Sequence, residues 1–201
     1  MEKLKRKNKS WLIIIGSLIF LSGLFILVKD YYSNKQIENK EKQAISEYYN
    51  IEETVSTEEP EKEEVVKDQM KIHYIAILKI PKINLERGLV DPNSYLNNVN
   101  YNLEIVNGSD MPDVRNGNII IAGHSGTARV SYFRNLDKLE LGDYIIIDYN
   151  NNSYKYKIVE IYDIDKNRYA EINREKNSTI ITLITCRHNT NKQIVIIGKL
   201  I

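Results

Sequence analysis

Hydrophobic and polar positions divide the chain into three regions of different character. The first contains an uncharged run, WLIIIGSLIFLSGLFILV, at residues 11–28. The second, residues 33–70, is polar, and the third consists of short apolar runs broken by Asn, Asp and Gly. Short apolar runs bounded by turn-forming residues are typical of β-strands. The pattern therefore predicts a β-rich domain over residues 71–201.

Within that domain, YIAILKI and GNIIIAG predict two strands, and DYIIIDYNNNSYKYKIVEIY predicts a hairpin that turns at its three asparagines. STIITLITC and QIVIIGKLI predict a closing pair of strands, separated by the polar stretch RHNTNK. Only YFRNLDKLEL predicts a helical turn or short helix. Many strands with little helix indicate an all-β barrel or sandwich.

The 18-residue uncharged run is near the minimum length for a helix that crosses a bilayer, and Trp11 and Tyr32 suit its two interfaces. Residues 1–9 carry five Lys or Arg against one Glu, which predicts a cytoplasmic basic tail. Residues 10–32 then form a transmembrane signal-anchor helix, and the rest of the chain is extracellular. A cleaved signal peptide is the alternative, but KDYYSNKQ after the run offers no small-residue cleavage site.

Residues 33–70 contain eleven Asp or Glu and five Lys or Arg, with too few apolar residues for a core. They predict an acidic extracellular linker, helical in part around QIENKEKQAISEYY. The β-domain has seventeen basic and fourteen acidic residues without a dense basic cluster. Its charge therefore gives no support for nucleic-acid binding.

Cys186 is the single cysteine of the chain, and three histidines are its potential partners. His73 precedes the first strand and His188 lies in a polar loop, where both are expected to be solvated. His124 ends a buried apolar run, IIIAGHSG, between glycines that allow a sharp turn. If these strand ends meet, Cys186 and His124 form a nucleophile–base pair. A buried, inert thiol is the other interpretation.

The local sequences favour the catalytic pair. TLITC at residues 182–186 resembles the TLxTC motif of the sortases, and AGHSG resembles the loop of their catalytic histidine. ILKIPKI and FRNLDKLELGDYIII are similar to other family segments in the same order. The resemblance covers about residues 74–201, and it implies a closed eight-stranded sortase-like β-barrel with short helices.

The resemblance also implies a function. Sortases are membrane-anchored cysteine transpeptidases of Gram-positive bacteria that cleave a Leu-Pro-x-Thr-Gly-like sorting motif and pass the acyl group to a cell-wall or protein amine. By similarity, Cys186 is the nucleophile and His124 the general acid and base. Thr185 matches the family's threonine and is expected to contact substrate, or else to be an ordinary strand residue. The expected partners are secreted proteins with a carboxyl-terminal sorting motif and the amine acceptor.

One family residue is missing. Sortases carry an arginine on the last strand, whereas this chain has Gln193 at the aligned position and Lys192 before it. A one-residue shift would give Lys192 the arginine's role, and that assignment is the one we favour from sequence. Arg187 is the other nearby cation, but strand alternation turns it away from Cys186.

The resemblance leans towards a wall-anchoring enzyme over a pilin polymerase, because the Asp-Pro-aromatic lid is not recognised. No metal site or cofactor is predicted. Calcium, used by part of the family, would have to bind the acidic residues of one loop region: Asp163, Asp165, Glu171 and Glu175. Two other functions use the same sequence features, namely a cysteine hydrolase that transfers to water and an inactive membrane-tethered β-domain.

Overall fold

The computed structural model describes residues 2–54, 72–166, 175 and 177–201. It contains one long helix, α1 (Glu2–Thr54), and eight strands. The strands are β1 (Ala76–Ile80), β2 (Leu85–Leu89), β3 (Glu104–Ile105), β4 (Asn118–Ala122), β5 (Tyr144–Tyr149), β6 (Asn152–Asp165), β7 (Ile180–Cys186) and β8 (Lys192–Leu200). Short 3-10 helices occupy Pro81–Ile83 and Leu136–Lys138.

The eight strands form one sheet in the order β2-β1-β5-β6-β8-β7-β4-β3, which curves into a nearly closed barrel. The predicted all-β, eight-stranded barrel is therefore confirmed. The predicted hairpin is β5–β6, and its turn is Asn150-Asn151, with φ of 50° and 59°. Asparagine tolerates this left-handed conformation, which suits the tight turn of a hairpin.

Alternation along the strands creates an inner and an outer apolar face. Ile194 and Ile196 of β8 point into the barrel core. Val195 and Ile197 pack with Ile180 of β7 in a second cluster on the outer face. Strands buried on both faces are near-continuous apolar runs, as ITLI and IVII are. The predicted short helix lies over the core, to which it contributes Phe133, Leu136 and Leu139.

Helix α1 contains a segment, from Trp11, that is long and apolar enough to cross a membrane, with a mean hydropathy of 2.7. The helix continues to Thr54, so the predicted linker at 33–70 begins as helix. Residues 55–70 of the predicted linker lie outside the described residues. The chain divides into two compact units, residues 1–43 and 44–201, so the end of α1 belongs to the unit that contains the barrel.

The helical residues 44–50 pack on the barrel through one face. Ile45 and Tyr48 are buried in a cluster with Tyr74, Ile77 and Val90. Their spacing of three places Ile45 and Tyr48 on one side of the helix. This part of the helix therefore covers the apolar patch of Tyr74, Ile77 and Val90, which water would otherwise reach.

Asp148 of β5 anchors this contact electrostatically. Tyr49 Oη donates a hydrogen bond to Asp148 Oδ2 at 2.7 Å, and Lys79 Nζ lies 2.6 Å from the same oxygen. Burial would raise the pKa of Asp148, but hydrogen bonds from Lys79, Ser153 and Tyr49 outweigh it and hold the pKa below its ordinary value. The carboxylate is thus ionised and paired at neutral pH.

We expect Ile45→Ala to destabilise the barrel by about 2 kcal/mol, because it removes buried apolar surface and leaves a cavity. Ile37→Ala is the matched control, since Ile37 lies on the same helix but is exposed. Thermal unfolding of the full chain in detergent measures both. Equal melting temperatures for Ile45→Ala and Ile37→Ala would show that the contact does not stabilise the barrel.

Candidate active site

The two candidate strand ends are neighbours in the barrel. β4 and β7 pair in parallel, from Asn118 opposite Ile180 to Ala122 opposite Ile184. Each β7 residue lies 62 positions after its β4 partner, and the same separation joins His124 to Cys186. The pairing continues past β4, because Gly123 N–H donates to Ile184 O at 3.2 Å. Continued two residues beyond β4, the same register sets His124 level with Cys186 at the carboxyl ends of the two strands.

Cys186 lies on the outer face of the barrel. On β7, Ile181 and Leu183 pack in the core, whereas Ile180 and Ile184 pack in the outer cluster. Cys186 follows Ile184 by two residues, so it shares the outer face. Cys186 and His124 are both half-buried, so each is open to solvent or to a substrate.

Thr185 points the other way and secures the histidine segment. Its side chain is buried, and its hydroxyl donates to the carbonyl oxygen of Gly123 at 2.6 Å. This bond joins the residue before Cys186 to the residue before His124. Thr185 therefore holds the two strand ends together from the inner side.

The segment that follows β4 leaves no room for a side chain at Gly123. A Cβ there would lie 2.6 Å from Leu103 Cδ2 and 2.9 Å from Phe133 Cδ2. Phe133, which is fully buried, also donates its backbone N–H to His124 O at 3.0 Å. The backbone of His124 is therefore held by the core at both ends of the turn.

The register places Gln193, and not Lys192, opposite Cys186. β7 and β8 are antiparallel, with Cys186 directly across from Gln193. Gln193 has the strand parity of Val195 and Ile197, which line the outer face. Lys192 is exposed, lies across from Asp165 of β6 and has the opposite parity. The one-residue shift that would favour Lys192 does not occur in this pairing.

Arg187 is held by another residue. Its Nε lies 2.6 Å from Asp163 Oδ1, and its backbone N–H donates to Lys192 O at 2.9 Å. This agrees with the expected direction of Arg187, away from Cys186. Sequence alignment alone left Lys192 and Gln193 open, since only strand pairing decides which of two adjacent residues shares a face with the thiol.

An apolar surface adjoins Cys186. The outer cluster contains buried residues of β7 and β8 together with partly buried Tyr162, Ile164 and Ile184. Sequence reasoning did not identify this surface as part of the site. Its signal is the absence of polar alternation in β7 and β8, which indicates strands that are covered on both faces.

Two of the acidic residues considered for calcium form ion pairs with basic side chains. Asp163 is paired with Arg187, and Glu175 Oε2 lies 2.8 Å from Lys199 Nζ. Glu171 lies outside the described residues. Among the residues that the structure does describe, no group of three or more His, Cys, Asp or Glu could hold a metal ion.

Comparison with known proteins identifies the family. The sortase domain model matches residues 78–201. The chain belongs to the sortase family. Sortases are cysteine transpeptidases, and the predicted family is confirmed.

Curated sortases match most of the chain. Sortase A of Bacillus anthracis is 22% identical over 94% of this chain and 93% of its own. Sortase A of Staphylococcus aureus (strain NCTC 8325 / PS 47) is 24% identical over 91% of this chain and 89% of its own.

Solved sortases share the fold. The match to a Clostridium perfringens sortase D5 transpeptidase covers 82% of this chain and 97% of that protein's chain, with a TM-score of 0.59 and 24% identity. The match to the lid mutant of sortase A from Corynebacterium diphtheriae covers 64% of this chain and 70% of that protein's chain, with a TM-score of 0.58 and 24% identity.

We expect Thr185→Val to slow the alkylation of Cys186 by about tenfold, because the two strand ends lose their shared hydrogen bond. The measurement is the rate of thiol labelling. Thr182→Val is the matched control: Thr182 is a buried threonine on the same strand whose hydroxyl lies 3.0 Å from Asn118 Oδ1, away from the site. Both variants should lose about 1 kcal/mol of stability. Equal reaction rates in the two variants would contradict the positioning role of Thr185.

Proposed function

We propose that the protein is a membrane-anchored cysteine transpeptidase that cleaves a Leu-Pro-x-Thr-Gly-like sorting motif and transfers the protein to an amine of the cell wall. The observation that carries the proposal is the parallel β4–β7 register, whose offset of 62 residues equals the separation of His124 and Cys186. Family membership supplies the reaction class. The register supports His124 and Cys186 as the pair of groups that this reaction needs.

In the first half-reaction, the Cys186 thiolate attacks the carbonyl carbon of the motif's threonine. The tetrahedral intermediate collapses as the carbon–nitrogen bond to glycine breaks. His124, as imidazolium, gives its proton to the departing glycine amine, and a thioester remains on Cys186. The substrate is thereby divided into an acyl-enzyme and a free amine.

In the second half-reaction, the acceptor amine attacks the thioester. Neutral His124 accepts the proton that the amine loses as the new amide forms. Cys186 leaves as a thiolate and His124 is again protonated. Protons and electrons balance over the two steps, so no cofactor is required, and none is proposed.

Oxyanion stabilisation is the step at which this chain departs from the family. We assign it to Gln193, because this residue lies across from Cys186 on the same face. Its amide offers two N–H donors but no charge. Hydrogen bonds from a charged donor are about twice as strong, so Gln193 is expected to stabilise the oxyanion less than arginine would. Lys192, the residue favoured from sequence, is the competing assignment.

The apolar outer cluster is the proposed floor for the leucine and proline of the motif. It extends from Ile184, two residues before Cys186, across β8 to Tyr162 and Ile164 of β6. Apolar residues beside a few polar groups are typical of peptide and small-molecule sites. Thr185 serves this site as a positioning residue through its bond to Gly123 and is not assigned a substrate contact.

The proposed location follows from α1. The apolar segment spans the membrane, the basic residues 1–9 stay in the cytoplasm, and the catalytic barrel is extracellular. Its partners there are secreted proteins with a carboxyl-terminal sorting motif and a cell-wall or protein amine. A single thiol with no cysteine partner stays available for acyl transfer in that environment.

The test mixes the full chain in detergent with a pool of Leu-Pro-x-Thr-Gly-like peptides and a small amine. Mass spectrometry should find cleavage between threonine and glycine, amine-capped product, and a thioester on Cys186. Cys186→Ala and His124→Ala should each reduce capped product by roughly 10³-fold or more. His188→Ala is the matched control, because His188 is two residues from Cys186 but exposed.

Other outcomes identify the two competing functions. Cleavage with no capped product at saturating amine would favour a hydrolase that transfers to water. Neither cleavage nor a thioester with any peptide would favour an inactive tethered domain, consistent with the uncharged Gln193. Full activity in Cys186→Ala would reject the whole assignment.

A separate prediction distinguishes Gln193 from Lys192. Gln193→Ala should slow thioester formation by about 10²-fold, since a single oxyanion donor is removed. Lys192→Ala should leave the rate unchanged, because Lys192 has the opposite strand parity. Gln193→Arg, which introduces the family's charged donor, should react at least as fast as the wild type.

Single-turnover acylation, followed by rapid quenching and mass spectrometry, measures all three variants. A large loss in Lys192→Ala together with a normal rate in Gln193→Ala would reverse the assignment.

A further inference from the structure

Arg87 is a buried cation that the proposed reaction does not use. It lies in the middle of β2 and is only 7% exposed. Its Nε donates to Asn102 Oδ1 at 2.9 Å, and its Cζ lies 3.8 Å from the centroid of the Tyr132 ring. Burial lowers the pKa of Arg87 to about 10, against the attraction of Tyr132, so the guanidinium remains charged at neutral pH.

The first partner, Tyr132, belongs to the segment that carries His124. Tyr132 directly precedes Phe133, whose backbone N–H donates to His124 O at 3.0 Å. A planar guanidinium stacked on an aromatic ring is favourable, more so where water is excluded. The stack therefore fixes the carboxyl-terminal end of segment 124–133 to β2.

The second partner, Asn102, fixes the other end of the same segment. Asn102 Nδ2 donates to Gly88 O at 2.9 Å, so the side chain links two neighbouring residues of β2. The next residue, Leu103, is fully buried and lies against Gly123, the residue before His124. The placement of Leu103 against Gly123 thus depends on the bonds that Asn102 makes to β2.

A stabilising role alone does not explain a charged residue at this position. Taking a guanidinium out of water is costly, and an apolar side chain of similar volume often serves a core as well. Arginine differs from such a side chain in geometry, because it presents a rigid planar fork to two partners at once. Here one partner, Tyr132, lies within segment 124–133, and the other, Asn102, directly precedes Leu103, which lies against Gly123.

We propose that Arg87 is a positioning residue for His124: its stack on Tyr132 and its hydrogen bond to Asn102 clamp segment 124–133 so that His124 stays level with Cys186. The clamp itself is a structural property. Its effect on acyl transfer rests on the proposed function.

The experiment uses the full chain in detergent and two readouts. Arg87→Lys keeps the charge but loses the planar fork, and Tyr132→Leu removes the ring while Tyr132→Phe keeps it. The matched control is Lys155→Met, since Lys155 Nζ lies 4.0 Å from the centroid of the Tyr144 ring on the β5–β6 hairpin. Amide hydrogen exchange of Phe133 reports the clamp, and kcat and KM for peptide transfer report His124.

We expect Phe133 exchange to accelerate about tenfold or more in Arg87→Lys and Tyr132→Leu, with the amides of β6 and β8 unchanged. The same variants should lose roughly 10- to 100-fold in kcat with little change in KM, because the substrate still binds but His124 is misplaced. Tyr132→Phe keeps the ring but loses the hydroxyl that also interacts with Arg87, so it should lose less than Tyr132→Leu. Lys155→Met should behave as the wild type.

Unchanged Phe133 exchange in both Arg87→Lys and Tyr132→Leu would overturn the proposal, whatever the effect on kcat. An increase spread equally over β6 and β8 in both variants would also overturn it, because Arg87 would then be an ordinary part of the core. If the wild type transfers no peptide, the proposed function fails, and the exchange measurements still decide whether the clamp exists.

Discussion

Parallel hydrogen bonding between β4 and β7 is the interaction on which the candidate site depends. The other strand pairings in the described residues are antiparallel. Among these pairs, only β4 and β7 therefore have their carboxyl ends side by side at the same end of the sheet. His124 follows one of those ends and Cys186 forms the other. An antiparallel pairing of the same strands would have placed the two residues at opposite ends of the barrel.

The register of that pair is fixed at both ends. Thr182 and Asn118 share a hydrogen bond near the start of the strands, and Thr185 bonds to Gly123 O at their finish. A shift of one residue would turn the thiol to the other face of the sheet, because side chains alternate with a period of two. Of these two bonds, only that of Thr185 lies at the strand ends that carry His124 and Cys186.

Three cations of the barrel are paired with other residues or lie on the other face of their strand. Arg187 is paired with Asp163, Lys192 has the parity of the opposite face, and Arg87 is enclosed between Asn102 and Tyr132. Gln193, across from Cys186, is neutral. In the proposed reaction, the chemistry at Cys186 depends on hydrogen-bond geometry and on the placement of His124. The proposed clamp of Arg87 contributes to that placement by position.

The amino-acid sequence by itself determined the apolar helix, the strand-rich domain, the Asn-Asn hairpin and the identity of the Cys186 and His124 candidates. These follow from local properties, namely hydrophobic run length, alternation, turn propensity and a single thiol. Three features required the tertiary structure. The choice between Gln193 and Lys192 depends on the β7–β8 register, because adjacent residues in a strand point to opposite faces. The docking of residues 44–50 and the contacts of Arg87 join segments far apart in the chain, and no local pattern encodes which distant residues a side chain will meet.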